Sequence, residues 1–300
     1  MVLSLESIAA SLRVAFPDVS FASLSLLGSG FDSVAVETDT GIVFRVGTTT
    51  DAARSYAMEH RLLPMLRPHV DVPIPEPRWY AAPGDVFPHA AIGYPKVAGD
   101  ILLPESADGI DLRALAEDCA AFLLSMHHIP VDDARAWGAD VWDADLAQLR
   151  SVVSPLLRER FDDAAYRTLD AWWAGVVADD VMHSFTPMLR HCDMWYENLL
   201  VTGDPPRLAG VLDFGDTSIG DPAREFAALQ YMGDAFMAHA LDAYGALGGD
   251  TSPAMRHRVR IFVALREFFG LRWAQTHKPG FEVEEQLGKV AAQFGVDVRD

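Results

Sequence analysis

Residues 189–201 read LRHCDMWYENLLV, and residues 211–215 read VLDFG. His191, Asp193 and Asn198 interrupt one apolar run, and Asp213 closes another. Groups of this kind are costly to bury unless a proton or a metal ion uses them. The apolar stretches at 197–202 and 208–213 are short and β-rich, and they read as two strands carrying these groups at their ends. Any fold for this chain has to deliver an acid, an amide and a second acid to one place.

The chemistry of that set is specific. A carboxylate at Asp193 can accept a proton from a hydroxyl, while the amide oxygen of Asn198 can ligate a hard cation. Asp213, at the end of a buried strand, needs a partner, and a magnesium ion serves well. Magnesium held by few protein oxygens completes its shell with water and substrate phosphates. Each residue also has a plain structural alternative: His191 as a satisfied core histidine, Asp213 as a turn cap.

Upstream, residues 23–46 read SLSLLGSGFDSVAVETDTGIVFRV. Two β-rich runs flank GSG, and a third follows the turn Asp39-Thr40-Gly41, so an antiparallel meander is expected. The glycine loop can approach phosphates closely, or it is an ordinary β-turn. Arg45, among apolar neighbours in the third strand, needs an anion, and Glu59 on the following helix is the candidate. Such a pair can position a cation against phosphate oxygens or stand as a simple salt bridge. Within DAARSYAMEHRLLPMLR (51–67), Tyr56, Leu62, Leu63 and Leu66 have helical spacing, and Pro64 predicts a kink or an end. VPIPEP (72–77) reads as stiff extended chain.

Residues 90–103 hold another short strand, and Pro95 and Gly99 behind it mark a joint. Beyond it the periodicity turns helical at 112–130, 142–178 and 222–295. The fold class expected is α+β and two-lobed: a small antiparallel-sheet lobe over 1–95, and a larger, mainly helical lobe over 96–300. A cleft between two lobes is the natural place for chemistry.

Composition narrows the classes of function. Three hundred residues with 50% apolar content can bury a sizeable core. No apolar run approaches the roughly 18 residues of a membrane span. MVLSLESIAASLRVAFP carries Glu6 and lacks a basic leader region, so it is expected to be an amphipathic helix with Leu5, Ile8, Leu12 and Phe16 on one face, not a signal peptide. Cys119 and Cys192 lack metal spacing, which makes a reducing cytoplasm the expected setting. A formal net charge of −19 argues against nucleic acid and favours cationic small molecules, unless it serves solubility alone.

Taken in order, the chain presents a glycine loop, a strand cation, a helix glutamate, H-x-D-x-x-x-x-N and D-F-G. The last two together would arise by chance on the order of once in ten thousand chains or fewer, so coincidence is set aside. HCDMWYENLLV and VLDFGDTSIGDP resemble the catalytic and metal-binding segments of the aminoglycoside phosphotransferase family, within the protein-kinase-like fold. MHHIP closing a helix, VPIPEP before the hinge strand, and Asp221-Pro222 followed by Glu225 and Phe226 match the same family. The resemblance runs over residues 23–273, and DFGDTSIGDP is most similar to the branch acting on the 2''-hydroxyl of aminoglycosides.

The resemblance implies a phosphotransferase with an alcohol group as acceptor, using ATP or GTP. It makes the 1–95 lobe nucleotide-binding and the 96–300 lobe catalytic and substrate-binding. Asp193 corresponds to the catalytic base, Asn198 and Asp213 to Mg2+ ligands, and Asp221 to a structural residue fixing the catalytic loop. Gly28, Ser29, Gly30 and Ser33 would cover the phosphates, with Arg45 and Glu59 positioning them. Residues 94–97, Tyr94 and Lys96 among them, would meet the base edge through backbone groups. A cationic acceptor would meet Glu197, Asp234, Glu267 and Trp273, or these residues are only solvated surface. Two departures stand out. Arg45 replaces the family's usual lysine, and LQYMGDAF offers only Asp234 where the 2'' branch has an acidic cluster. Alternative acceptors are a macrolide or a metabolic alcohol such as choline, homoserine or a sugar; a third reading is a catalytically weak nucleotide-binding regulator.

Overall fold

A computed structural model describes residues 4–107, 109–277 and 280–299. Helix α1 (Leu5–Ala15) is capped by Ser4, whose Oγ accepts from Ser7 N at 3.2 Å. Its Ile8 and Leu12 are fully buried, and Phe16 stacks on Phe44 at 5.3 Å between ring centroids. They cover the inner face of a meander formed by β1 (Leu24–Ser29), β2 (Ser33–Thr38) and β3 (Ile42–Gly47). Gly41, at φ 78°, makes the β2–β3 turn that Asp39-Thr40-Gly41 predicts. Helix α2 (Thr50–Leu66) follows, then β4 (Trp79–Ala81) and β5 (Ala91–Pro95). The completed sheet is antiparallel throughout, in the order β1-β2-β3-β5-β4.

Pro64 does not end α2. The helix runs on to Leu66, two residues past Pro64, without the bond that the missing N–H would have made. Tyr56 and Ala52, in the first half, pack with Ile92 of the sheet; Leu62, Leu63 and Leu66 join the larger core instead. One helix thus belongs to both packing units. VPIPEP is irregular, and its Pro73 carbonyl accepts from Val211 N at 3.0 Å.

The remaining elements run β6 (Asp100–Ile101), α3 (Arg113–His127), α4 (Val131–Ala136), β7 (Asp140–Val141), α5 (Leu146–Arg160), α6 (Asp163–Val177), β8 (Met188–Arg190), β9 (Leu199–Thr202), β10 (Arg207–Val211) and β11 (Ser218–Gly220). Four helices complete the chain: α7 (Ala223–Leu229), α8 (Asp234–Ala246), α9 (Pro253–His277) and α10 (Phe281–Phe294). This part is mainly helical, and a single large apolar cluster fills it, from Leu115 of α3 to Leu271 of α9. Two small sheets, β10-β9-β6 and β7-β11-β8, lie among the helices. The first carries the two motif strands. No helix of the described residues is long and apolar enough to cross a membrane. The architecture is α+β, as the sequence led us to expect.

Candidate active site

β8 hands the chain from Arg190 directly into His191, Cys192 and Asp193. Arg190 is 1% exposed; its guanidinium donates to the carbonyls of Trp142 (2.8 Å) and Asp221 (3.1 Å) and to Ser218 Oγ (3.1 Å). Cys192 takes a left-handed φ of 71°, and the two N–H groups that precede this bend point the same way. Both meet the buried carboxylate of Glu225 on α7: His191 N donates at 2.6 Å and Cys192 N at 2.8 Å. Asp221, expected to fix this loop, sends its side chain elsewhere, to Arg258 at 2.9 Å and Ala223 N at 3.0 Å. Its carbonyl, through Arg190, is its link to the loop.

His191 is structural and neutral. Its Nδ1 accepts from Asp193 N (3.2 Å) and its Nε2 donates to the Leu212 carbonyl (3.0 Å), which defines the tautomer. Burial holds its pKa below the ordinary histidine value. The Asn198 carbonyl accepts from Leu212 N at 2.9 Å, so the two motif segments are tied twice.

Asn198 Nδ2 donates to both Asp193 Oδ2 (2.8 Å) and the Asp193 carbonyl (2.9 Å). The acid is therefore held by a residue from the far end of its own loop. Burial, then the negative charges of Asp216 and Asp213, push the Asp193 carboxyl up to about 8, against the pull of Asn198.

Asp213 also has a left-handed backbone, φ 57°. Its Oδ1 accepts from Arg45 Nη2 at 3.0 Å and from Gly215 N at 3.4 Å. Burial raises the Asp213 carboxyl, but Arg45 and the Gly215 N–H outweigh it and leave it below the usual range. Arg45 Nη1 donates to both oxygens of Glu59 at 3.0 Å, and Glu59 is fully buried. Gly215 has no side chain for a physical reason: a Cβ there would stand 2.6 Å from Ser55 Oγ of α2.

The residues fit a magnesium site. Asp213 Oδ2 and the Asn198 amide oxygen take none of the hydrogen bonds above, and both are hard oxygen donors. Among the described residues, no three His, Cys, Asp or Glu side chains gather closely enough to hold an ion by themselves. That is the donor set of magnesium completed by water and phosphates.

A cavity of about 450 Å³ opens over Asp193, Asp213 and Arg45. It is lined by Asp32, Asp51, Asp140, Asp193, Asp213 and Asp216 against Arg45, Arg54 and Arg224, so it attracts cations. A second chamber of about 160 Å³ shares Asp193, Asp216 and Arg224 with it, and is walled by Tyr231, Phe262 and Phe269.

The other residues singled out from sequence lie around this centre. Gly28 and Ser29 are in β1, beside a register shift, and Gly30 N donates to the Ser33 carbonyl at 2.9 Å. Phe31, at the tip of that loop, packs edge-on against Trp273 (5.2 Å) and His277 (4.7 Å) of α9. Tyr94 is buried in β5. Lys96 N donates to the Gly41 carbonyl (2.9 Å), and Lys96 Nζ pairs with Glu37 (2.8 Å). Glu197 is exposed on the turn before β9. Asp234 accepts from Gln230 (2.6 Å), and Glu267 is paired with Arg266 (2.6 Å). None of Glu197, Asp234, Glu267 and Trp273 lines either cavity. Sequence reasoning did not single out Asp216, Arg224 or Tyr231, which do. The one signal for Arg224 was its place in the segment after Asp221-Pro222.

Comparison with known proteins places the chain in a family and a fold. Residues 23–262 match the model of a family described as "Phosphotransferase enzyme family". Viomycin phosphotransferase of Streptomyces vinaceus is 29% identical over 138 residues, covering 45% of this chain and 44% of that protein, so the match spans less than half of the relative's length. Among solved structures, the GDP and kanamycin complex of APH(2")-IIia superposes with a TM-score of 0.86 at 24% identity, covering 97% of this chain and 99% of that one. A macrolide 2'-phosphotransferase type I does so at 0.74 and 20%, again over 97% and 99%. At such identities the structural likeness establishes the fold.

Proposed function

The chain belongs to the phosphotransferase enzyme family, and from that premise we propose that it transfers the γ-phosphoryl group of ATP or GTP to a hydroxyl of an antibiotic, an aminoglycoside first among them. One observation carries the reading. Asp193, fixed by Asn198, faces the same cavity as Asp213 and its partner Arg45.

In this reading Asp193 takes the proton of the acceptor hydroxyl as its oxygen attacks the γ-phosphorus. The bond to the β–γ bridging oxygen breaks, and its electron pair leaves with the diphosphate. Arg45, braced by Glu59, holds phosphate oxygens from the sheet side. Asn198 and Asp213 would hold magnesium, which supplies charge neutralisation on the phosphates. Residues 1–95 act as the nucleotide lobe and 96–300 as the acceptor lobe.

The aspartate-rich cavity supports a cationic acceptor, and the kanamycin found in a relative is one. The second chamber favours another reading. Its Tyr231, Phe262 and Phe269 walls suit an apolar acceptor, and macrolide phosphotransferases share the fold. The experiment is direct: purified protein with Mg2+ and either ATP or GTP, offered aminoglycosides, viomycin and macrolides, with products read by mass spectrometry. Phosphate transfer to a member of the panel is expected. Absence of transfer to every member, together with absence of nucleotide turnover, rules the reading out.

A further inference from the structure

We propose that Arg224 is a further catalytic residue, contacting the phosphoryl group as it passes from nucleotide to acceptor. The inference rests on the phosphotransfer reading above and adds a residue to it. Among the described residues, three line both cavities: Asp193, Asp216 and Arg224. Two are acids, so Arg224 is the one cation of these three at the place where the chambers meet.

Its charge acts on Asp193 and Asp216 across the cavity, but its close packing partners are rings. The guanidinium lies 4.2 Å from the Trp142 ring centroid and 5.2 Å from that of Phe269. Among the described residues it makes no ion pair and no side-chain hydrogen bond. The other arginines around these cavities are paired: Arg45 with Glu59 and Asp213, Arg54 with Asp51, and Arg266 with Glu267. The aromatic clamp is itself anchored, because Trp142 N donates to the Ile219 carbonyl of β11 at 2.9 Å. Rings on two sides orient a guanidinium without neutralising it.

A transferring phosphoryl group spreads negative charge over three equatorial oxygens while its bonds to both flanking oxygens are long. A guanidinium at that point, with no hydrogen bond or close ion pair of its own, stabilises the transition state more than the ground state. The acceptor oxygen bonds to phosphorus, the bridging oxygen keeps the electron pair of the breaking bond, and the hydroxyl proton goes to Asp193. Arg224 exchanges no proton.

The test uses nucleotide hydrolysis with water as acceptor, so that no antibiotic need be known. Arg224→Met in the full chain should lower the hydrolysis kcat on the order of 10²- to 10³-fold. Its Kd for the nucleoside diphosphate should stay within about threefold of wild type, since the contact is made in transit. Binding of the diphosphate with aluminium fluoride, a mimic of the phosphoryl in flight, should weaken as the rate does. Arg224→Lys should recover part of both. Arg224→Gln serves in the same way if the methionine variant does not fold. A wild-type hydrolysis rate in the truncated variant overturns the proposal, and so does a diphosphate affinity that falls as far as the rate. Wild-type protein that turns over no nucleotide instead defeats the phosphotransfer reading, and this proposal with it.

Discussion

Arg45 and Asp213 are separated by 168 positions in the chain and meet at 3.0 Å, while the other half of the same guanidinium grips both oxygens of Glu59. One side chain thereby joins strand β3, helix α2 and the segment after β10. A lysine is a point charge and cannot hold both acids in this forked geometry. Arg45→Lys should therefore keep activity within about tenfold of wild type, equivalent to roughly 1.4 kcal/mol. Arg45→Met should raise the nucleotide KM, lower kcat and cost about 3–5 kcal/mol of stability, because Glu59 is left buried without its cation, with only the Ser55 hydroxyl donating to it. Adding Glu59→Gln should return much of the stability and none of the rate. Thermal melts and steady-state kinetics of the three variants read this out; a singly substituted Met variant as stable as wild type would refute it.

Asp193, the proposed base, ties stability to pH. Its carboxyl is pushed up to about 8 by burial and by Asp216 and Asp213, from an ordinary value of 3.8. The folded chain keeps this proton where the unfolded chain has lost it, so the residue costs stability increasingly as pH rises from 3.8 toward about 8. Asp193→Asn removes that cost and retains an oxygen to accept from Asn198. The variant's stability advantage should grow across this window and level off above it, in melts taken at several pH values. Its turnover should fall by ~10²–10⁴, the usual worth of a general base. A constant gap in the melts would show that Asp193 ionises normally in the folded protein.

Much of this was legible in the sequence. The meander, α1 and the helical block follow from periodicity, and the Arg45–Glu59 pair from a cation set among apolar strand residues. Other features depend on distant partners. β7, β8 and β11 are two or three residues each and exist only by pairing across the fold. Arg45 meeting Asp213 depends on how the sheet docks against the helices, and nothing local in either segment states it. Cys192 reads as a small apolar residue; nothing local states its left-handed backbone or the hold of Glu225, 33 residues on, on its N–H and that of His191. At Pro64 the sequence marks a helix breaker but not that the helix ends two residues beyond it.

Gly220 shows a packing limit that is open to direct test. A Cβ there would lie 2.5 Å from Arg190 Nη2 and from the Trp142 carbonyl, which Arg190 already holds. Gly220→Ala should cost about 1–3 kcal/mol through overpacking. It should also lower kcat, since Arg190 immediately precedes the loop that carries Asp193, the proposed base. Gly175, within α6, has nothing within 4 Å of the point where a Cβ would sit. Gly175→Ala should stabilise by roughly 0.5–1 kcal/mol through helix propensity. Denaturant titration of both variants decides; a neutral Gly220→Ala would mean that Arg190 moves aside freely.

Glu225 makes the last prediction, because it holds the loop and touches no cavity. Its two carboxylate oxygens accept from His191 N and Cys192 N, and a glutamine of the same shape would turn an NH2 group toward one of those N–H donors. Glu225→Gln should cost about 1–3 kcal/mol. It should lower kcat with little change in nucleotide affinity, since the loop carries Asp193 and not the phosphate contacts of the sheet. The pH dependence is particular. Burial raises the Glu225 carboxyl, but His127, whose Nε2 stands 3.8 Å away, and the Cys192 N–H outweigh burial and hold it below its ordinary 4.5. A depressed carboxyl contributes stability above its unfolded pKa and loses it as pH falls through the folded one. The stability difference between wild type and Glu225→Gln should accordingly be full near neutrality and shrink below pH 4.5. If the difference is the same in acid, the loop is held by the shape of Glu225 and not by its charge.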